Sequence, residues 1–221
     1  NNVELNTEWV DSTKINKNNV SKILKKYSAI LIPGGFGSRG TEGKIEAIAY
    51  ARKYKVPFFG ICFGMQMAII EIARNLLGIK KATSSEFGNG GTHVVGLMSE
   101  WVKGKTIQKG SRKNLGGTMR LGSYKAKLKK NSLISKIYNS TNINERHRHR
   151  YEVNYEFNSD FEKHGMIFSG MSPSMTLPEI LEIPSHPWFV GVQFHPELKS
   201  KPFDPHPLFS SFIQAALNNS R

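Results

Sequence analysis

Short apolar runs alternate with helical patterns along the first third of this chain. Residues 29–32 (AILI) and 56–61 (VPFFGI) are continuous apolar segments of strand length. Each is followed by a helical pattern, at residues 41–54 and 65–77, and the second helix is apolar on nearly all sides. The order strand, helix, strand, helix predicts parallel strands joined by helical crossovers.

The ends of these helices carry cap signals, and the rest of the chain continues the pattern. Thr41 is a candidate N-cap of the first helix, and Gly78 is a candidate left-handed cap after the second. We find no repeat or clear linker, so we expect one domain over residues 1–221, with an open, mostly parallel sheet flanked by helices and an antiparallel extension. Further strands are expected at 93–98, 121–128, 166–171, 179–183 and 188–194, an edge or early strand near Trp9 and Val10, helices at 20–27 and 207–218, and loops at 81–91 and 102–114.

A lone cysteine lies where the second strand meets the second helix, in the segment GICFG at 60–64. A sharp turn there would expose Cys62 at the end of the strand, and the helix N-terminus would favour its thiolate. The backbone N–H of Phe63 would then be placed to hold a developing oxyanion. The alternative is a buried cysteine that acts only as a small hydrophobic residue. The strand before it and the helix after it favour the nucleophile.

A histidine and a glutamate follow the last predicted strand. His195 comes at its carboxyl end, Pro196 stops the strand, and Glu197 lies two residues on. A histidine oriented by a carboxylate is a general base that can serve a thiol. An isolated surface His-Pro-Glu is the alternative, and a cysteine turn in the same layout argues against it. One face of this strand is expected to carry Trp188, Val190, Val192 and Phe194.

The glycine-rich segment PGGFG at 33–37 follows the first strand. It is not a phosphate loop, because it has neither a following Gly-Lys-Ser/Thr nor G-x-G-x-x-G spacing. An ordinary strand-to-helix loop is one interpretation. A loop at the carboxyl end of a parallel neighbour would lie beside Cys62, however, which makes Gly35 a candidate for a second oxyanion N–H group.

Composition narrows the class of protein. The chain has 221 residues, 38% of them hydrophobic, and its apolar runs are too short to span a membrane. Its polar start is unlike a signal peptide. A single cysteine excludes an internal disulfide and fits a reducing compartment, so we expect a cytoplasmic protein.

The positive charge is concentrated in one segment. Residues 101–150 hold fourteen Lys and Arg against one acid, Glu145, in a chain of net charge +14. This segment is either a solvated face or the neighbour of a phosphate-bearing partner. Nucleic acid is disfavoured, because the interleaved aromatic residues of a base-stacking platform are absent.

Two further motifs in this segment have open interpretations. The paired glycines of the segment GGTMR at 116–120 permit either a plain hairpin turn or the hinge of a lid. His147 and His149 could be metal ligands on one strand face. The arginines between them and the lack of other ligands argue against a metal.

Taken together, the Cys62 turn and the QFHPE segment at 193–197 resemble the class I, or triad, glutamine amidotransferases. Within that group the chain is similar to the glutaminase domain of the CTP synthase family. The similarity runs from about residue 9 to 217. The segments that carry it are PGGFGSRGTEGK (33–44), GICFGMQMAIIEIARN (60–75), GGTMRLG (116–122), ERHRHRYEVN (145–154) and QFHPELKSKPFDPHPLF (193–209).

The resemblance implies roles for individual residues. Glu86 would meet the α-ammonium group of glutamine, and the 150–151 segment would hold its α-carboxylate end, largely through backbone. No metal ligand is implied. The implied residues are catalytic Cys62, His195 and Glu197; oxyanion-binding Gly35 and Phe63; glutamine-binding Gly35, Phe63, Gly64, Met65, Gln66, Glu86, Arg150 and Tyr151; and Gly116, Gly117, Thr118 and Arg120 in a lid beside which an activator, GTP, would act.

It also implies partners and leaves alternatives. In the full-length family the ammonia passes to an amidoligase (synthetase) domain that aminates UTP to CTP with ATP and Mg²⁺, and the enzyme is a homo-oligomer. That domain is not found in these residues, nor are the first strand and helix expected before Trp9. Two alternatives stay open, namely a γ-glutamyl peptidase or protease-like cysteine hydrolase on the same scaffold, and a basic nucleotide- or nucleic-acid-binding module with an inactive triad.

Overall fold

The computed structural model describes residues 3–97 and 119–220, and these form a layered α/β structure. The helices are α1 (Val20–Leu24), α2 (Thr41–Tyr54), α3 (Phe63–Asn75), α4 (Leu133–Tyr138), α5 (Asn158–Lys163) and α6 (Pro207–Asn219). The strands are β1 (Ile30–Ile32), β2 (Phe58–Ile61), β3 (Ala82–Ser84), β4 (Thr92–Leu97), β5 (Arg120–Leu128), β6 (Asn142–His149), β7 (Tyr151–Val153), β8 (Ile167–Met171), β9 (Pro178–Glu182) and β10 (Phe189–Val192).

A seven-stranded sheet organises the described residues, in the order β1-β2-β10-β9-β8-β5-β6. Strands β1, β2 and β10 run parallel, and every later pairing in the sheet is antiparallel. The expected α/β sheet with an antiparallel extension is therefore confirmed, although the parallel part is limited to three strands. A second sheet, β3-β4-β7, has three strands.

Strand β2 lies in the hydrophobic core, and all four of its residues are buried. Successive side chains of a strand point to opposite faces, so Phe58 and Phe59 belong to different hydrophobic clusters. The Phe58 cluster contains residues of α2 and α3, whereas the Phe59 cluster contains residues of α6. The predicted shared face of the last strand is confirmed, since its four apolar residues all join the Phe59 cluster.

The structure corrects several helix boundaries. Helix α3 begins at Phe63 and ends at Asn75, so the predicted range of 65–77 is two residues late at each end. Gly78 does adopt a left-handed backbone (φ 74°), but the capping residue is Leu76. The N-cap of α2 is Gly40, with φ 71°, and Thr41 is instead the first helical residue, so the Thr41 prediction is wrong.

Other predictions differ from the structure where an element is short or where its buried face is polar. Residues 3–11 form no strand, so the prediction near Trp9 and Val10 is wrong, and Trp9 is exposed. The expected loop at 81–91 contains β3 and a 3-10 turn, Ser85–Phe87. Most of the inward-facing side chains of β6 are Glu and His, so its sequence lacks the alternation of apolar residues that indicates a strand. The expected loop at 102–114 lies outside the described residues.

Candidate active site

Cys62 occupies a strained turn between β2 and α3. Its backbone has φ 51° and ψ −98°, a conformation that L-residues rarely adopt. Its N–H donates to the Val192 carbonyl at 2.7 Å, which extends the pairing of β2 with β10 by one residue. The side chain is only 4% exposed. The turn therefore presents the sulfur at the carboxyl ends of the parallel strands, as an elbow does.

The two glycines around Cys62 are required by close packing. A Cβ on Gly60 would lie 2.7 Å from the backbone carbon of Gly64, and a Cβ on Gly64 would overlap the carbonyl oxygen of Ile32. Both contacts are with backbone, which cannot move aside cheaply. The G-x-C-x-G pattern thus follows from packing helix α3 directly against strands β1 and β2.

His195 and Glu197 form a short hydrogen bond after β10. The distance from His195 Nδ1 to Glu197 Oε1 is 2.6 Å. The backbone N–H of His195 donates to the Arg146 carbonyl at 2.8 Å, so β6 supports the segment. Pro196 begins a 3-10 turn, Pro196–Leu198, as expected where the ladder must stop. The His195 side chain is 14% exposed and that of Glu197 is 44% exposed, so the pair lies at the edge of solvent.

The charge of His195 is set by its two acidic neighbours. The Cys62 side chain and then the Glu197 carboxylate raise the pKa of His195 to about 10, against the opposing effect of burial. Nε2, the second ring nitrogen, is buried and makes no hydrogen bond within the described part of the chain. A protonated imidazole with one N–H not yet engaged therefore lies beside the Cys62 side chain.

The glycine-rich loop after β1 packs against both of these residues. A Cβ on Gly34 would lie 2.8 Å from His195 Cε1 and 3.8 Å from Cys62 Cβ, whereas a Cβ on Gly35 would meet the Phe63 ring at 3.6 Å. The expectation that this loop lies beside Cys62 is thus met. Gly34 was not singled out from the sequence, although it precedes Gly35 in the same motif.

Glu86 closes another side of the same loop. Its Oε1 accepts a hydrogen bond of 2.6 Å from the backbone N–H of Gly37. Burial raises the pKa of Glu86, and the Gly37 N–H opposes that effect. A partly buried carboxylate therefore lies at the loop that borders Cys62, where a cationic group of a ligand would find a partner.

The predicted glutamine-binding residues of α3 differ in what they can offer. Gln66 is buried, and its Nε2 donates to the Tyr151 carbonyl at 3.0 Å and to Gln193 Oε1 at 3.3 Å. Met65 is completely buried, and Gly64 packs on β1, so either could reach a ligand only through its backbone. Gln193 belongs to the QFHPE segment but was not identified from the sequence as a site residue.

Arg120 and its neighbours form a second set of charged groups, here called the buried charge cluster. Arg120 donates to Glu152 at 3.2 Å and to Glu179 at 2.7 Å. It is the first residue of β5 and is 7% exposed, so it is held in the sheet. Gly116, Gly117 and Thr118 lie outside the described residues, and the lid role of this segment stays a prediction. The cluster comprises Arg120, His147, His149, Glu152 and Glu179.

The two histidines of the cluster are neutral. Burial, followed by the Arg120 charge, lowers the pKa of His147 to about 2 and that of His149 to about 3. His147 Nδ1 and His149 Nε2 are 2.9 Å apart and bond to each other. Among residues 3–97 and 119–220, no group of three or more His, Cys, Asp or Glu side chains is arranged to hold a metal ion. Within the same residues, no helix is long and apolar enough to cross a membrane.

Comparison with known proteins gives three consistent matches. The family model described as glutamine amidotransferase class-I matches residues 1–215. The chain is 64% identical over 220 residues to a CTP synthase of Pelagibacter ubique, and 60% identical over 222 residues to a CTP synthase of Rhizobium meliloti. These matches span 99% and 100% of this chain but only 41% of the length of each relative. The chain therefore spans well under half the length of these curated relatives.

A solved structure extends the similarity to three dimensions. The glutaminase domain of the Trypanosoma brucei CTPS, with bound acivicin, matches with a TM-score of 0.86 and 38% identity. The match covers 98% of this chain and 82% of that one. The sheet, the elbow and the glycine-rich loop described above are thus set in a fold shared with a known glutaminase domain.

Proposed function

The chain belongs to the class I glutamine amidotransferase family, among the glutaminase domains of CTP synthases, and from this premise we propose that it hydrolyses L-glutamine to glutamate and ammonia. The observation that carries the proposal is the position of Cys62, on a strained elbow, beside a His195 that is hydrogen-bonded to Glu197. A sulfur nucleophile, a base and a group that orients the base are the parts that amide cleavage requires.

The first half of the reaction forms a thioester. The Cys62 thiolate attacks the side-chain amide carbon of glutamine, and the carbonyl electrons move onto oxygen. The N–H groups of Phe63 and Gly35 are the donors for this oxyanion. That of Phe63 lies in the first turn of α3, which has no helical acceptor, and that of Gly35 belongs to the loop beside Cys62. As the tetrahedral intermediate collapses, the carbon–nitrogen bond breaks and His195 Nε2 gives its proton to the departing ammonia.

The charge of Cys62 explains why His195 can release that proton. The Cys62 side chain is the first cause of the raised pKa of His195. Once sulfur has bonded to carbon its negative charge is gone, so the pKa of His195 falls and the imidazolium becomes a competent acid. Neutral His195 then takes a proton from water, the resulting hydroxide attacks the thioester, and the carbon–sulfur bond breaks to restore the thiolate and release glutamate.

Substrate recognition uses the groups around the glycine-rich loop. Glu86 is the partner proposed for the α-ammonium group, because its carboxylate is partly buried and faces the loop at Gly37. The segment of Arg150 and Tyr151 is proposed to hold the α-carboxylate end. Free glutamine carries both groups, whereas a γ-glutamyl peptide adds bulk on the leaving-group side. Selectivity for free glutamine would distinguish the proposal from a peptidase.

The use of the ammonia belongs to the longer proteins that this chain matches. We propose that it passes to a synthetase domain that aminates UTP to CTP with ATP and Mg²⁺, as the resemblance implies, in a homo-oligomeric enzyme. GTP is proposed as the activator of glutamine hydrolysis. Titrating GTP during a glutaminase assay tests this part, and an unchanged rate at saturating glutamine contradicts it.

Covalent labelling is the most direct test of the glutaminase proposal. Acivicin, which is bound in the Trypanosoma brucei relative, is incubated with this chain, and the modified residue is mapped by mass spectrometry. We expect one adduct, on Cys62, which is the only cysteine, together with loss of ammonia release from glutamine. Cys62→Ala is the matched control, because it keeps the elbow and removes the sulfur.

Two results would overturn the proposal. The first is ammonia release by Cys62→Ala at the unmodified chain's rate. The second is a substrate panel in which γ-glutamyl peptides are cleaved much faster than glutamine, which would favour the peptidase instead.

A further inference from the structure

The side-chain amide of Gln193 joins the nucleophile to the protein core. Gln193 is completely buried, and its Nε2 lies 3.8 Å from Cys62 Sγ with donor geometry. Its Oε1 lies 3.3 Å from Gln66 Nε2. An N–H directed at sulfur interacts more strongly with a thiolate than with a thiol, and so stabilises the reactive form.

The backbone carbonyl of Tyr151 determines which way this amide faces. A carbonyl oxygen can only accept, so the Gln66 atom that lies 3.0 Å from it must be the donor, Nε2. That same nitrogen faces Gln193, whose facing atom must therefore be the acceptor, Oε1. The remaining end of the Gln193 amide, Nε2, is left facing Cys62. The orientation is thus set by a main-chain group and does not depend on which amide rotamer is drawn.

The buried charge cluster holds the Tyr151 carbonyl from the other side. His149 Nδ1 lies 3.1 Å from that carbonyl and must donate to it. In a neutral ring His149 Nε2 is then an acceptor, so His147 Nδ1 donates to it at 2.9 Å. His147 in turn lies 3.5 Å from Glu179, which binds Arg120. One chain of buried hydrogen bonds therefore runs from His147 to the Cys62 sulfur, and its members cannot reorient independently.

We propose that Gln193 is a positioning residue that holds the Cys62 thiolate through its Nε2–H, with Gln66 and the Tyr151 carbonyl fixing the direction of that donor. The inference deepens the proposed glutaminase function and rests on it. Gln193 does not contact the reacting carbon. It acts through the sulfur, by favouring the thiolate and by limiting the sulfur's motion in the elbow.

The pH dependence of cysteine alkylation tests the proposal without glutamine. Second-order rates of Cys62 modification by iodoacetamide are measured from pH 5 to pH 10 for the unmodified chain, Gln193→Met and Gln193→Glu. The Met variant keeps the side-chain length and removes the donor. We expect its rate at pH 7 to fall about tenfold or more, with the half-maximal rate at higher pH, as the loss of a hydrogen bond to a charged group predicts.

The Glu variant keeps the shape of glutamine and replaces the donor by a carboxylate. We expect a larger upward displacement of its profile, because two negative groups would then face each other. In glutamine hydrolysis by Gln193→Met, kcat should fall while KM stays within about twofold, as for a group that does not bind the substrate. Gln214→Met, on the exposed side of α6, is the control and should change nothing.

Alkylation profiles of Gln193→Met and Gln193→Glu that superimpose on that of the unmodified chain would overturn the proposal. If Gln193→Met does not fold, as judged by its circular dichroism, the near-isosteric Gln193→Glu decides by the same criterion. Failure of the proposed glutaminase function would give a different experimental result. In that case the unmodified chain would release no ammonia from glutamine, whatever its alkylation profile.

Discussion

Two sites in this protein place a histidine beside a glutamate, and the two histidines have opposite charge states. At the active site, His195 is paired with Glu197, and its pKa is raised to about 10. In the buried charge cluster, His147 also lies beside a glutamate, Glu179, yet its pKa is lowered to about 2. A carboxylate beside a histidine therefore does not by itself make an imidazolium.

The difference comes from burial and from a competing cation. Burial is the first cause of the lowered pKa of His147, and the charge of the Arg120 guanidinium, which contacts Glu152 and Glu179, is the second. His195 is less enclosed, and its two neighbours, Cys62 and Glu197, both raise its pKa. The active-site histidine is thus selected by its surroundings, and the neutral pair becomes part of the scaffold.

The largest expected effect separates the two clusters by function. His195→Ala should lower kcat for glutamine hydrolysis about a thousandfold or more in a variant that still folds, because it removes both base and acid. His147→Gln should do the reverse, keeping activity within about tenfold while lowering stability by about 1–3 kcal/mol through loss of a buried hydrogen bond. Steady-state kinetics and thermal melts of both variants check this. Equal activity losses in two folded variants would erase the distinction.

Removing the competing cation should destabilise the scaffold. Arg120→Met leaves Glu152 and Glu179 buried without their partner, so the free energy of unfolding should fall by about 3–5 kcal/mol. Arg148→Met, on the exposed face of the neighbouring strand β6, is the matched control and should change stability by no more than about 0.5 kcal/mol. Urea denaturation followed by circular dichroism measures both. Similar losses in the two variants would mean that the buried pairing is not what matters.

A methyl group beside the active-site histidine should displace it. Gly34→Ala places a Cβ 2.8 Å from His195 Cε1, which forces the ring to move and should lower kcat about tenfold or more. Gly35→Ala is the control, because its Cβ meets the Phe63 ring at an ordinary 3.6 Å and leaves the backbone N–H in place. Steady-state kinetics of the two variants measure the difference in kcat. A Gly35→Ala loss as large as that of Gly34→Ala would contradict the steric explanation.

The smallest effect is a titration that reads the two clusters directly. In NMR spectra of the imidazole nitrogens, His195 should stay protonated through pH 8, and His147 and His149 should stay neutral from pH 5 to pH 9. Because the His195 pKa is raised in the fold, its charge stabilises the protein fully below pH 6.5, and this contribution is lost as the pH rises towards about 10. Cys62→Ala removes the first cause of the shift.

In that variant the pKa of His195 should fall while remaining above 6.5, because the Glu197 carboxylate still raises it. The pKa values of His147 and His149 should not change in this variant. A His195 pKa that does not change in Cys62→Ala would show that the carboxylate alone sets its charge, and the proposed release of the proton after sulfur attack would lose its cause.

The local motifs of the site could be predicted from the sequence because their causes act over a few residues. Gly60 and Gly64 permit the turn that exposes Cys62, and Pro196 ends the strand that delivers His195. The continuous apolar run of β2 and the shared apolar face of β10 placed both strands in the core. The sequence placed His147 and His149 on one strand face but did not predict the bounds of β6, since its inward face also carries Glu145 and no hydrophobic period marks it.

The α/β class, the cysteine elbow and the His-Pro-Glu pair could therefore be predicted from the sequence alone, because they follow from glycine, proline and apolar spacing nearby in the chain. The contact of Gly34 with His195, and the orientation of Gln193 by the Tyr151 carbonyl, follow only from the folded chain. The same is true of the neutral state of His147 and His149, which burial and then the Arg120 charge produce. These properties depend on burial and on charges brought together from segments far apart in the chain, and neither can be read from neighbouring residues.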